Sequence, residues 1–184
     1  MILITLPNVT GDCEIPNFAG YFTAESFSFS ASREITESAK AGTRDVHIGM
    51  AEMQEVSLGK SMDKASVPLM KWAIAGTQIP GEVLIRFVET GANSSGDALH
   101  INFMNVKLDR TFVKSWSLSG DADSRPTEEL TLYFQYFAIA YVPFKGTDID
   151  TSKKASVGWD HAKNAPWGGK ASIEALLKAE KAAS

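Results

Sequence analysis

A chain of 184 residues with 44% hydrophobic and 22% charged residues has the composition of one globular domain, large enough to bury about 70% of its unfolded surface. Its formal net charge of −4 argues against nucleic acid as a partner, because phosphate binding needs clustered Lys and Arg. The single cysteine, Cys13, rules out an intramolecular disulfide and a cysteine-based metal site, and suits folding in a reducing cytoplasm.

The first basic residue is Arg33, so the opening MILITLPNVTGD lacks the cationic lead of a signal peptide. No apolar run approaches the roughly 20 residues that span a bilayer, so no membrane insertion is expected. Strand patterning dominates, with strands expected at about 1–6, 20–32, 45–59, 82–89, 98–108, 111–119 and 128–142. Gly-, Ser-, Asp- and Pro-rich turns separate them, at Asn8–Gly11, Gly91–Gly96 and Ser119–Pro126. The pattern reads as an all-β fold of two antiparallel sheets, closed into a barrel or packed as a sandwich.

Within the second strand, ESFSFSAS alternates strictly. Extended backbone puts Phe27 and Phe29 on one face and Ser26, Ser28, Ser30 and Ser32 on the other. The phenyl rings belong in a core; the serines make a smooth row of small hydroxyls, which in isolation reads as a plain solvated face. A second such face sets Ser115, Ser117 and Ser119 against Phe112, Trp116 and Leu118.

One short helix interrupts the strands. Ser66-Val67-Pro68-Leu69-Met70-Lys71-Trp72-Ala73-Ile74-Ala75-Gly76 offers an N-capping Ser, a Pro in the first turn and a terminating Gly. Leu69, Trp72 and Ala73 share a face. At about nine residues it is not stable alone and is expected to brace the sheets.

Thr127–Val142 has no polar side. Leu130, Leu132, Phe134, Tyr136, Ala138, Ala140 and Val142 alternate with Tyr133, Phe137, Ile139 and Tyr141. A strand with one wet face should alternate apolar and polar. Either both faces are covered within the chain, or one meets another subunit, to which a few such side chains would contribute on the order of 10 kcal/mol. On the second reading Leu132, Phe134, Tyr136 and Phe137 are the interface candidates.

No catalytic constellation emerges, and no enzyme activity, cofactor or metal site is expected. His47, His100 and His161 stand apart from each other and from carboxylates at ligand spacing, and no GxSxG, GxxxxGK[ST] or GxGxxG motif is present. Residues 1–165 are expected to form the β domain, with 166–184 as a C-terminal extension. In that extension Ile173, Leu176 and Leu177 lie at helical spacing, and Glu174–Lys178 is a favourable i,i+4 pair. It reads as a frayed solvated tail or as a docking helix.

Several fragments then fall in one order. They are Val9-Thr10-Gly11-Asp12, the aromatic–Ser–aromatic strand at 25–30, and Lys60-Ser61-Met62-Asp63-Lys64-Ala65-Ser66 followed by Pro68-Leu69. Gly76 with Pro80, Ser119-Gly120 with Pro126-Thr127-Glu128, and Gly158-Trp159-Asp160 with Asn164 complete the set. Together they resemble the haemolysin-coregulated protein (Hcp) family, the inner-tube proteins of the bacterial type VI secretion system, from the first strand to about Asn164. Pro68 lies one residue later than in the family pattern, the Arg-Lys-Ala-Gly run after Val83–Arg86 is missing, and the loop between Glu37 and Val46 keeps only Gly42. The terminal segment has no counterpart in the family core.

The resemblance implies a two-sheet barrel with one bracing helix, assembled as hexameric rings that stack into a tube. It implies a lumen lined by Ser26, Ser28, Ser30 and Ser32, with Ser28 at a position that affects effector binding, and an inter-ring loop containing Ala39, Lys40, Gly42 and Thr43. Expected partners are further copies, effector proteins in the lumen, a VgrG-type spike and the contractile sheath. The implied location is the bacterial cytoplasm, followed by export without a signal peptide to the extracellular space or a target cell. Two other readings stay open: a phage tail-tube protein with the same physics, and a monomeric barrel holding a small apolar ligand.

Overall fold

The computed structural model describes residues 1–40, 43–92, 98–145, 148–168, 173 and 179–181. The strands are β1 (Ile2–Thr5), β2 (Phe22–Ala24), β3 (Ser26–Ser28), β4 (Ala31–Lys40), β5 (Thr43–Met53), β6 (Val56–Ser61), β7 (Val83–Ala92), β8 (Ala98–Asp109) and β9 (Phe112–Ser119). They continue with β10 (Thr127–Tyr133), β11 (Tyr136–Tyr141), β12 (Phe144–Lys145), β13 (Asp148–Ile149), β14 (Ala155–Asp160), β15 (Ala165–Pro166) and β16 (Ala179–Lys181). The single described helix of more than one turn is α1 (Ser66–Ala75).

All ladders are antiparallel. The larger sheet runs β15-β14-β11-β8-β7-β1-β2, with β16 also on β8; the smaller runs β3-β6-β10-β9. The expected barrel is thus two packed sheets rather than one closed ladder. The chain passes between them at corners: Glu25 separates β2 from β3 and donates its amide to Gly59 O at 2.8 Å.

Three long expected strands are each broken, for the same reason. Residues 20–32 divide into β2, β3 and the start of β4; residues 45–59 divide into β5 and β6; residues 128–142 divide into β10 and β11. Unbroken apolar patterning cannot reveal that a chain changes sheets. The stretch with no polar side is two strands in different sheets, joined through Phe134 and Gln135. Leu132, Phe134 and Phe137 are buried in the chain's own core, and Tyr136 is half-buried. The apolar surface of those three is covered within the chain itself.

Between the sheets lies a core that includes Ile4, Phe22, Val56, Leu58, Leu69, Ile85, Val106, Leu130, Leu132 and Phe137. From α1, Leu69 is fully buried while Trp72 and Ala73 pack at its edge, as the helical spacing predicts. Gly76 ends the helix in the left-handed conformation (φ 61°), its amide bonding Trp72 O at 3.1 Å. Ser66 is not the N-cap. Ala65 holds that position without a side-chain bond, and Ser66 is the first helical residue, its hydroxyl engaged elsewhere.

Of the stretch expected as a C-terminal helix, only Ile173 and Ala179–Lys181 are described, and the latter is a strand.

Gly11 explains its place in the motif set. A Cβ there would meet Tyr21 O at 2.4 Å and Phe22 Cα at 2.5 Å, both backbone atoms that cannot swing aside. Gly91, by contrast, has open space around it. Gly11→Ala is expected to destabilise the chain by about 3 kcal/mol in urea unfolding, and Gly91→Ala by less than about 0.5 kcal/mol.

Candidate functional site

The smaller sheet turns one face to the core and the other outward, and cross-strand register aligns the outward residues in rows. One row reads Ser26, Gly59, Glu129, Ser117; the next reads Ser28, Ser57, Thr131, Ser115; a third joins Ser61, Thr127 and Ser119. Every position except Gly59 and Glu129 carries a small hydroxyl. Most are exposed, while Gly59, Ser61 and Thr131 are half-buried. Around Ser26, Ser28, Gly59 and Glu129 the face dips into an open depression of about 260 Å³. Gly59 keeps the dip, since a Cβ there would meet Ser26 Oγ at 2.5 Å.

Ser26 and Ser28 therefore sit where the sequence predicts, facing outward. Phe27 stacks edge-on to Phe87 at 5.3 Å between centroids, and Phe29 lies flat on Phe137 at 4.2 Å. The row does not continue. Ser30 lies at a junction, its carbonyl taking the Gln54 amide at 2.9 Å, and Ser32 stands on β4 opposite Glu52. Ser115, Ser117 and Ser119 join the same surface from β9. The middle strands, Ser57, Ser61, Thr127 and Thr131, were missed. Alternation in VSLGKS and TEELTLY was their signal, but nothing in the sequence says that β6 and β10 lie side by side.

The face is flat and hydroxylated, with Glu129 as the charge in the centre of its rows. At one end Lys114 pairs with Glu55, and that hydrogen bond holds the Glu55 carboxyl below its ordinary value. Beyond β9, Asp121 accepts from the Ser124 hydroxyl and from the Asp123 and Ser124 amides, which likewise lowers its carboxyl. Such a surface can make many weak hydrogen bonds. Among the described residues no cluster of three or more His, Cys, Asp or Glu could hold a metal ion.

Behind this face lies a buried ionic cluster. Lys60 and Glu128 are register partners on β6 and β10, on the core side, and both side chains are fully buried. Lys60 Nζ donates to Asp63 Oδ1 at 2.8 Å, Ser61 O at 2.8 Å, Ser66 Oγ at 3.2 Å and Glu128 Oε1 at 3.3 Å. Ser66 Oγ also bonds Glu128 Oε1, which is why it leaves the cap position, and Trp116 Nε1 bonds Glu128 Oε2 at 2.9 Å. One ion pair thus links β6, β10, β9 and the start of α1.

The β4–β5 hairpin stands apart as its own two-stranded sheet. Across it, Ala31, Arg33, Ile35 and Glu37 face Met53, Ala51, Ile48 and Val46, with an irregularity in register between Arg33 and Ile35. Ile35, Val46, Ile48 and Met50 are all more than half exposed. At the hairpin base this face runs into an apolar groove of about 280 Å³ that includes Phe29, Ala31, Met53, Val157 and Trp159. Of the expected inter-ring residues, Ala39 and Lys40 end β4, Thr43 begins β5 as the partner of Lys40, and Gly42 lies outside the described residues.

A family model described as type VI secretion system effector, Hcp, matches residues 3–141. The chain belongs to the Hcp family. Among solved structures, this Hcp chain resembles a type six secretion system protein at 24% identity, covering 90% of this chain and 98% of that one with a TM-score of 0.77. It resembles Hcp1 from Salmonella typhimurium at 17% identity, covering 90% and 97%, with a TM-score of 0.67. A chain of the anti-feeding prophage baseplate matches at 15% identity over 75% of this chain and 89% of that one, with a TM-score of 0.52. At these identities the likeness is one of fold. A search of curated proteins finds no significant match.

The family motifs acquire physical roles. Lys60, Asp63, Ser66 and Glu128 are the ionic cluster. Trp159 Nε1 bonds Asn164 Oδ1 at 3.3 Å, closing the turn between β14 and β15. Removing Lys60 leaves the Glu128 and Asp63 carboxylates without their shared counter-charge, whereas removing Glu128 leaves Lys60 still paired with Asp63. Lys60→Met is expected to cost about 3–5 kcal/mol in urea unfolding, and the double variant Lys60→Met/Glu128→Leu to recover part of that loss.

Proposed function

We propose that this Hcp chain is a subunit of the type VI secretion tube, that its copies close into hexameric rings which stack, and that the hydroxyl face lines the bore. The observation that carries the reading is the pairing of two unlike surfaces on one small chain. One is a sheet face of serines and threonines with almost no grease and little charge. The other is a hairpin on which Ile35, Val46, Ile48 and Met50 are all more than half exposed.

An isolated two-stranded hairpin is marginal in water. Burying Ile35, Val46, Ile48 and Met50 against a neighbouring copy would contribute on the order of 5 kcal/mol to association. The contact is between different patches, so successive copies turn in one sense and close into a ring when the rotation allows. A bore of short hydroxyls keeps its water, offers replaceable hydrogen bonds and lacks the apolar area that would trap a passenger. That suits effector cargo which must be held and then released. On this reading the hairpin end at Ala39, Lys40 and Thr43 reaches the next ring, and a VgrG-type spike and a contractile sheath are the further partners required. Export then carries the folded chain from the bacterial cytoplasm. A monomeric ligand-binding barrel is disfavoured by the intersheet space, which Phe22, Leu58, Leu69, Leu130 and Leu132 fill.

Two variants separate assembly from cargo handling. Ile48→Asp is expected to convert rings to monomers in size exclusion with light scattering, with a melting temperature within a few degrees of the parent; intact rings would contradict the hairpin's role. Ser28→Glu is expected to leave rings intact and reduce retention of a co-expressed effector severalfold in a pull-down; lost rings would show that Ser28 is not on the bore.

A further inference from the structure

β11 separates two cores. Phe137 and Ile139 face the main core between the sheets, whereas Ala138, Ala140 and Val142 face the opposite side of the large sheet, where they too are buried. They are covered by Ile173, which is itself fully buried among them. Leu84, Phe103, Ile149 and Trp167 close the sides of this socket. The two small alanines leave the depth that a branched aliphatic side chain fills.

The grip is not only apolar. Asn105, on the neighbouring strand β8 and fully buried, donates Nδ2 to Ile173 O at 3.2 Å. Trp167 stacks on Tyr136 with ring centroids 5.0 Å apart, and Lys107 Nζ stands 5.3 Å from the Trp167 ring. Farther along, β11 releases the edge of β8: their pairing ends at Tyr141–Met104, with a last bond from Val142 N to Phe103 O at 2.9 Å. β16 takes up that same strand directly afterwards, aligning Ala179 with Ile101, Glu180 with His100 and Lys181 with Leu99.

We propose that the outer face of β11 and the adjoining edge of β8 form a docking site for the chain's own C-terminal segment, which seats there in cis as a latch and keeps the β8 edge from accepting a strand of another copy. An aromatic slot, an aliphatic socket, a buried amide aimed at the segment's backbone and a strand-accepting edge follow one another along one side of the sheet. An open edge at the end of β8 would present unpaired amides and carbonyls, the template for irregular association in a protein meant to assemble through a different surface. The latch leaves the hairpin and the hydroxyl face untouched, so assembly by those surfaces and closure of this edge are separable.

Register supplies the test. Paired antiparallel residues have Cα atoms about 4.5–5.5 Å apart, within disulfide reach. In a full chain carrying Cys13→Ser, Leu99→Cys and Lys181→Cys, mild oxidation is expected to give an intramolecular cross-link, seen by non-reducing electrophoresis and peptide mass spectrometry and undiminished by tenfold dilution. Cross-links between chains would overturn docking in cis, and failure to cross-link would overturn the seating of the strand.

Glu180→Pro, which disturbs the strand without touching the socket, is expected to raise exchange at least tenfold at those amides of Leu99–Ile101 that are turned to β16, while those turned to β7, and Leu58 and Leu130, keep their protection. The same variant should sediment with added heterogeneous species. Unchanged exchange would refute the latch, and unchanged sedimentation would refute its guarding role. Neither readout requires that the chain form rings.

Discussion

A lysine ammonium buried in the core must have every donor satisfied, and the fold is arranged around meeting that demand at Lys60. Its partners come from its own strand, from the turn before α1, from the first residue of that helix and from Glu128 on β10. None of these groups could be removed without leaving a buried charge or dipole unpaired, at a cost far above that of a typical surface change. The pair also fixes register. A slip of one residue by either strand would turn that strand's charge, Lys60 or Glu128, outward and bring its own hydroxyls, Ser57 or Thr131 among them, into the core. The ion pair and the hydroxyl face are two sides of one constraint.

The two surfaces turned to the outside divide the work. Hydroxyls on the smaller sheet are close to solvent in their chemistry, so contact with them is cheap to make and break. The hairpin carries exposed apolar area, which on the proposed reading would drive association without making the bore adhesive. Chains with the reverse arrangement would assemble weakly and hold cargo too firmly. The outer face of the large sheet is covered by Phe18 and Tyr21 on one flank, both close to the guanidinium of Arg86, and by Trp167 and Ile173 on the other.

Much of this was legible in the sequence, and the failures have physical causes. Alternation in ESFSFSAS placed Ser26 and Ser28 correctly, because period-2 patterning reports facing directly. α1 was found from its face and its terminating glycine, although its N-terminus was misread: a serine before a helix looks like a cap, and only the tertiary fold shows Glu128 claiming the hydroxyl. The doubly apolar run at 128–142 was real, but its explanation is a change of sheet at Phe134 together with a tail that covers Ala138, Ala140 and Val142. Local pattern carries no information on either. The family motifs were visible as spacing, yet their roles as a buried charge cluster and tight turns emerge only when Lys60 and Glu128 meet across a ladder. The hydroxyl positions of β6 and β10 went unread for the same reason: adjacency of strands distant in sequence is not written in either strand.

The account's central claim is that a register fixed from beneath presents a hydroxyl face to the interior of a closed assembly. A cryo-electron microscopy reconstruction of the purified chain tests it most directly. The prediction is a six-fold ring in which Ser28, Ser57, Thr131 and Ser115 point into the bore and the Ile35–Ile48 face of each hairpin is covered by the next copy. A ring with those serines on its outer wall, or single molecules with the hairpin still bare at high concentration, would contradict it.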